Sequence, residues 1–136
     1  MALNKFNYEN ISKEVIKDIF EAAFIPFGED EDGDIFTKDE QKTYIKISTN
    51  KRRISFFCIF KGSDIDIQEK HGIANKINME SYFAKVMIMD SGNVRLDYDI
   101  DLTCDISTMF FISTLRTFTS RVARIVRNEK YGALFS

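Results

Sequence analysis

The amino acids that most often carry out chemistry in proteins are sparse in this sequence. Its single histidine, His71, stands beside Glu69 and Lys70 and shares no spacing with a serine, cysteine or carboxylate that would make it a general base. The glycine loops that bind phosphates, the nucleophile elbow of hydrolases and the paired histidines of zinc peptidases are also missing. We therefore predict a non-enzymatic protein with no catalytic residue and no cofactor.

An acidic stretch near residue 30 has the composition of a cation-binding loop. Asp30, Asp32 and Asp34 alternate as at the start of a calcium loop. The sixth and twelfth positions, however, hold Ile35 and Gln41, where an EF-hand requires glycine and glutamate. We therefore interpret the stretch as a solvent-exposed turn.

A second set of carboxylates, Asp97, Asp99 and Asp101, alternates along a predicted strand. Neighbouring side chains on one face of a strand are roughly 6–7 Å apart, which is too wide for three carboxylates to share an ion without other ligands. We interpret this set as a solvent-facing stripe, and the sequence predicts no metal site.

Basic residues cluster late in the chain, where Arg116, Arg121, Arg124, Arg127 and Lys130 lie along a predicted helix. Such a cluster could bind phosphates, but it lacks the interleaved exposed aromatic residues of proteins that stack on single-stranded bases. A solvated helix face is the favoured interpretation, and nucleic-acid binding through these arginines is the weaker alternative.

Length and composition indicate one folded domain over residues 1–136. The chain is 44% hydrophobic and 29% charged, which excludes a disordered protein, and its net charge of −2 is too balanced for a dedicated nucleic-acid binder. The sequence shows neither a membrane span nor a signal-peptide core, so we expect a cytoplasmic protein that binds no nucleic acid and no membrane. Cys58 and Cys104 lack metal-ligand spacing and are predicted to be small buried hydrophobes.

Three segments have the apolar periodicity of amphipathic helices. The first covers residues 11–24 and the second about 64–77. The third runs from a cap at Asp105 or Ser107 to about residue 128. Residues 129–136 are predicted to form a flexible tail, which leaves a core of about residues 10–128.

The other apolar segments alternate as strands do. A hairpin is predicted where two of them flank Ser91, Gly92 and Asn93. Strands in consecutive groups with short connections pair antiparallel, and adjacent helices bury their apolar stripes on the sheet. The sequence therefore predicts an α+β sandwich, with a five-stranded antiparallel sheet and three helices in the order α-β-β-β-α-β-β-α. The predicted strands are residues 35–37, 42–49, 54–60, 82–90 and 94–102.

The predicted strand over residues 54–60 is apolar on both faces, as is typical of a central strand that is covered twice. Three helices are few for both faces of five strands. We therefore expect a protein partner to cover the remaining apolar area, most simply a second copy in a homodimer. The candidate interaction surface comprises Phe57, Ile59, Met87 and Met89.

An alternative function is the binding of a small ligand in a pocket between helix and sheet. Such a pocket would be lined by Phe20, Phe56, Tyr98 and Phe118, and it would have to be large and enclosed.

The segment after the second predicted helix carries a family resemblance. Asn75 and Asn78 stand at the predicted end of that helix, where their side chains can bond the last carbonyls and the incoming strand. The strand that begins Phe83-Ala84-Lys85 and the turn at Gly92 follow. This pattern resembles the YbjN family of bacterial sensory transduction regulators, whose fold is similar to that of type III secretion chaperones. The resemblance covers about residues 10–128.

The resemblance implies a non-enzymatic module that is often dimeric and acts through protein contacts, as a regulator or a chaperone-like adaptor. It also implies that Asn75, Asn78, Phe83 and Gly92 are structural positions of the family pattern.

Overall fold

A computed structural model describes residues 4–39, 41–81 and 83–136 of the chain. The helices are α1 (Lys13–Ala22), α2 (Ile67–Glu80) and α3 (Thr108–Arg127), followed by a 3-10 helix (Glu129–Leu134). The strands are β1 (Lys5–Phe6), β2 (Phe27–Glu29), β3 (Ile35–Thr37), β4 (Thr43–Ile47), β5 (Arg53–Phe60), β6 (Lys85–Ile88), β7 (Val94–Asp101) and β8 (Ile106–Ser107).

Six of these strands form one antiparallel sheet in the order β2-β3-β4-β5-β7-β6, and β1 pairs separately with β8. The predicted α+β class with antiparallel strands is confirmed. The predicted count of five strands is wrong because the sheet also contains β2. The predicted hairpin is present as β6 and β7, although its first predicted residue, Tyr82, lies outside the described residues.

The extra strand β2 is held by interactions that its three residues do not reveal. The turn that joins it to β3 is closed by Asp30, whose carboxylate accepts hydrogen bonds from the backbone N–H of Asp32 (3.0 Å) and of Asp34 (2.9 Å). Glu29 at the end of β2 forms an ion pair with Lys13 of α1 at 3.3 Å. The position of such a short strand is therefore determined by its turn and by its ion pair with α1, and not by an alternation of apolar and polar residues.

The two longest strands, β5 and β7, pair along their whole length and give the sheet two distinct faces. On one face, the side chains of β5 and β7 join the apolar side chains of the helices in a single core. The β5 and β7 side chains on this face are Ile54, Phe56, Cys58, Phe60, Val94, Leu96, Tyr98 and Ile100.

Side-chain caps determine where the helices begin. The Ser12 hydroxyl accepts a hydrogen bond from the N–H of Val15, and the Ser107 hydroxyl accepts one from Phe110. α2 begins after Asp66, whose carboxylate accepts from Gln68, so this helix lies three residues later than predicted. No helix of the described residues is both long and apolar enough to cross a bilayer.

The centre of the core is a cluster of phenylalanine rings around Phe111 of α3. Its ring centroid lies 5.5 Å from that of Phe6, 6.0 Å from that of Phe20 and 5.5 Å from that of Phe56. One side chain therefore connects the N-terminal strand, α1 and the sheet to α3.

Residues 129–136 do not form the flexible tail that the sequence suggested. Tyr131 and Leu134 are buried in the core, and the Tyr131 hydroxyl donates a hydrogen bond to Glu80 of α2 at 2.9 Å. Phe135 packs edge-on against Phe60 of β5, with ring centroids 5.7 Å apart. The segment is ordered by contacts with distant residues, which its short and irregular apolar pattern does not signal.

Candidate interaction surface

The sheet face opposite the core carries no helix of the described residues. We call this face the open face, and none of its side chains in the described part of the chain belongs to the hydrophobic core cluster. It is formed by the alternate residues of each strand that point away from α1 and α3. Its members include Phe36, Tyr44, Lys46, Arg53, Ser55, Phe57, Ile59, Lys85, Met87, Arg95, Asp97, Asp99 and Asp101.

A row of aromatic side chains crosses the open face. Phe36, Tyr44 and Phe57 occupy directly opposed positions on β3, β4 and β5. The rings of Tyr44 and Phe57 are stacked, with centroids 5.2 Å apart and an interplanar angle of 16°. Lys42 lies 4.5 Å from the centroid of Phe36, and the Arg95 guanidinium lies 4.1 Å from that of Phe57. These contacts leave Phe57 only 9% exposed.

The aliphatic part of the open face lies beside this row. Ile59 and Met87 are the register partners on either side of Arg95, and they are 41% and 37% exposed. Met89 lies outside the strand, in the turn between β6 and β7, where its N–H bonds the carbonyl of Asn93. The structure thus brings Phe57, Ile59 and Met87 together on one face and places Met89 in the adjoining turn.

The predicted acidic stripe on β7 is uneven. Asp97 is 5% exposed because it accepts a hydrogen bond from Arg95 at 3.2 Å and faces Lys85 at 3.6 Å. Asp99 is exposed and accepts a hydrogen bond from the Ser55 hydroxyl at 2.6 Å. Asp101 is also exposed, and the N–H of Thr103 holds the pKa of its carboxyl below the ordinary value. The open face therefore exposes two carboxylates on β7, Asp99 and Asp101, while Lys46 on β4 is exposed and lies 4.0 Å from the carboxylate of Asp34.

The family-pattern asparagines have different surroundings. The side-chain amide of Asn78 donates to the carbonyl of Val86 at 3.0 Å and accepts from its N–H at 2.8 Å, so it pairs with strand β6 as another strand would. Asn75 is exposed, and its amide lies 3.8 Å from the sulfur of Met79. α2 continues to Glu80, so neither asparagine is the last residue of the helix.

The other two pattern residues also hold the β6–β7 hairpin. Phe83 stacks on Tyr98 with centroids 4.4 Å apart and planes 6° from parallel. Gly92 has a φ of +87°, which glycine adopts without strain, and its carbonyl accepts a hydrogen bond from the buried ammonium of Lys70 at 2.9 Å. Sequence reasoning missed Lys70, because a lysine in a helix of mixed pattern gives no signal of burial. The Gly92 carbonyl oxygen also requires a glycine at position 62, because a Cβ there would clash with it at 2.0 Å.

The residues considered for chemistry lie apart from one another. His71 is exposed on α2. Cys58 is 1% exposed and burial raises the pKa of its thiol to about 11, so it is a poor nucleophile, as expected of a buried hydrophobe. Cys104 is exposed, which corrects the prediction of burial. The carboxylates of the loop at residues 30–34 approach within 4.8 Å of one another, and the Asp30 carboxylate accepts hydrogen bonds from the backbone N–H groups of Asp32 and Asp34.

The small-ligand pocket lacks support in the core. Phe20, Phe56 and Phe118 are fully buried, and the rings of Phe56 and Phe118 are 6.1 Å apart. Phe111 lies between Phe20 and Phe56, so aromatic rings fill the space that a ligand would need.

Comparisons with known proteins identify the family that shares these features. A family model described as "YbjN: Putative bacterial sensory transduction regulator" matches residues 12–127. The chain belongs to the YbjN family. The family resemblance that was drawn from Asn75, Asn78, Phe83 and Gly92 is therefore confirmed. No curated protein matches the chain significantly.

Solved structures show that the YbjN architecture recurs at low sequence identity. A crystal structure of YbjN from E. coli, described as a putative transcription regulator, has a TM-score of 0.79 at 10% identity and covers 93% of this chain and 96% of that one. The HopA1–SchA chaperone–effector complex gives 0.57 at 14% identity, over 82% and 89%. An uncharacterized protein from Methanothermobacter thermautotrophicus gives 0.57 at 13%, over 83% and 92%. At these identities the likeness concerns the fold alone.

Proposed function

We propose that this YbjN-family chain is a non-enzymatic protein-interaction module, a regulator or chaperone-like adaptor, that forms a homodimer through its open face. The observation that carries the proposal is the one-sided sheet: the helices cover the core face, and the open face presents Ile59 and Met87 to solvent beside a row of partly buried aromatic rings. The family description and the chaperone–effector neighbour are consistent with a role in protein contacts.

The charges of the open face favour a second copy as its occupant. Lys46 on β4 and Asp99 on β7 are both register partners of Ser55 on β5, so they lie at the same level on opposite sides of that strand. A two-fold axis parallel to β5 would place Lys46 of one copy against Asp99 of the other, twice in each dimer. Each of these two pairs would bring a lysine of one copy against an aspartate of the other.

The exposed aliphatic residues would supply apolar area to this interface. Ile59 and Met87 are exposed in the single chain and lie outside the hydrophobic core cluster, so their replacement leaves that cluster intact. Burial of such side chains contributes most of the energy in interfaces between identical chains.

The experiment is light scattering combined with size-exclusion chromatography at low micromolar concentration. We expect the wild-type chain to be a dimer, and Ile59→Glu or Met87→Glu to raise the dimer dissociation constant by at least about tenfold. Met79→Glu is the matched control, because Met79 is 80% exposed on α2, away from the open face. Circular dichroism shows whether each variant is folded.

A charge exchange tests the two-fold arrangement directly. Lys46→Asp and Asp99→Lys should each weaken the dimer, and the double variant should restore it, because both inter-copy pairs are rebuilt with reversed sign. A monomeric wild-type chain, a dimer broken only by Met79→Glu, or a double variant weaker than both single variants would contradict the proposal.

A further inference from the structure

The outer side of α3 forms a second unpartnered surface, on the opposite side of the molecule from the open face. Between α3 and the end of α1 runs a groove of about 700 Å³. Its apolar end is lined by Ala23, Met109 and Ile112, and its basic end by Arg116, Arg121 and Arg124. We call it the arginine groove.

An exposed and strained aromatic residue directly follows Ala23, which lines the apolar end of the arginine groove. Phe24, which follows Ala23, is 92% exposed and has a φ of +56°. Phe24 directly follows Ala23, the C-cap of α1, at the position where helices usually have a glycine. The N–H of the next residue, Ile25, donates a hydrogen bond back to the carbonyl of Phe20 and closes the end of the helix. A phenylalanine there costs backbone energy and buries nothing in the single chain. Met109, on the groove itself, is 82% exposed.

The basic end lacks compensation from this chain. Arg116, Arg121 and Arg124 form no ion pair with any residue within 4–39, 41–81 or 83–136, and no carboxylate lines the groove. The positive charges of these arginines are therefore balanced by dissolved counterions or by the carboxylates of a bound partner.

We propose that the arginine groove binds an amphipathic helix of another protein, with acidic residues along the arginines and an apolar anchor between Met109 and Phe24. From Met109 to Arg124 the groove follows α3 for about 22 Å, which matches four turns of a bound helix. The groove and the open face lie on opposite sides of the sheet, so both can be occupied at once.

The lining distinguishes this occupant from others. A second copy placed symmetrically on the same groove would bring arginines against arginines. Single-stranded nucleic acid binds where aromatic rings stand among the cations, and no aromatic side chain of the described residues lines the groove between the arginines. A membrane surface carries the same negative charge, and vesicles are accordingly one arm of the test.

The test uses a fluorescein-labelled synthetic helix of about 18 residues, with leucines on one face and glutamates at intervals of three or four on the other. Its matched control carries lysine in place of every glutamate. Fluorescence anisotropy should show binding of the acidic peptide that weakens as salt rises, and no binding of the basic peptide. Arg116→Glu and Arg121→Glu should each raise the dissociation constant of the acidic peptide at least about tenfold. Lys76→Glu on α2 is the control variant and should leave this dissociation constant unchanged.

Phe24→Gly separates binding from folding. This variant should raise the dissociation constant of the acidic peptide several-fold. It should also raise the melting temperature of the protein by about 3–5 °C, because glycine adopts the left-handed conformation of residue 24 without strain. Equal binding of both peptides, arginine variants without effect, or tighter binding of oligothymidylate or of phosphatidylserine vesicles than of the acidic peptide would overturn the proposal. None of these results depends on the oligomeric state.

Discussion

At the scale of single residues, the edge of the sheet depends on one amide side chain. Asn78 satisfies both backbone groups of Val86, which is itself 4% exposed. The sequence pointed to Asn75 and Asn78 together, as two polar residues at a helix end. It could not distinguish them, because α2 starts at Ile67 and the phase of the helix decides which asparagine faces β6.

Replacement of Asn78 tests this pairing. Asn78→Ala leaves a buried N–H and carbonyl of Val86 without partners, so we expect the free energy of unfolding to fall by about 1–3 kcal/mol. Urea denaturation followed by circular dichroism measures the change. Asn75→Ala is the matched control and should change stability by less than about 0.5 kcal/mol. Equal effects of the two variants would refute the role of Asn78.

At the scale of secondary-structure elements, the sequence predicts best where local signals decide. α1 and α3 lie close to their predicted positions, because a serine cap and an apolar stripe are both local. β2 and the C-terminal 3-10 helix were missed for the opposite reason. Each is short and held by distant groups, β2 by Lys13 of α1 and the 3-10 helix by Glu80 of α2.

The contact of the C-terminal 3-10 helix with α2 gives a prediction on pH. Hydrogen bonds from Lys130 and then from Tyr131 hold the pKa of the Glu80 carboxyl below its ordinary value of 4.5. As the pH falls, the unfolded chain therefore takes up this proton before the folded chain does. The stabilisation is present above about pH 4.5 and is lost as the pH drops through the lower pKa of the folded state.

The measurement compares wild type with Glu80→Gln by urea denaturation from pH 7 to pH 3. The wild type should be more stable at pH 7, and the difference should shrink as the pH falls. Asp18→Asn is the control, because Asp18 is exposed and has no ion pair with a described residue. A difference that is constant with pH would exclude a role for the Glu80 charge.

At the scale of the whole molecule, the α+β class follows from the sequence, but the way the sheet is covered does not. The two-sided apolar pattern of β5 predicted a strand covered on both faces. In the structure, helices cover the face of Phe56, and the other face is partly covered by its own side chains, since Tyr44 and Arg95 enclose Phe57. Periodicity shows that a side chain avoids water. It does not show whether a helix, a neighbouring side chain or another molecule covers it.

Two neighbouring phenylalanines of α3, one buried and one half-exposed, test how much the core contributes to stability. Phe111→Ala removes the ring that contacts Phe6, Phe20 and Phe56, so we expect a loss of about 3–5 kcal/mol in the free energy of unfolding. Phe110→Ala should cost less than about 1 kcal/mol, because Phe110 is 49% exposed. Thermal and urea denaturation measure both variants. Similar losses would contradict the central place of Phe111.

The pairing of β5 with β7 has a consequence for biosynthesis. Residues 61–93 separate these two strands, so the middle of the sheet cannot close as a hairpin while the chain leaves the ribosome. β2 to β5 can pair with one another as they emerge, but the hydrogen-bonding edge of β5 stays vacant until β7 has been translated. The nascent chain thus passes through a stage in which its most apolar strand has one unprotected border, and refolding at high concentration should favour aggregation at that stage.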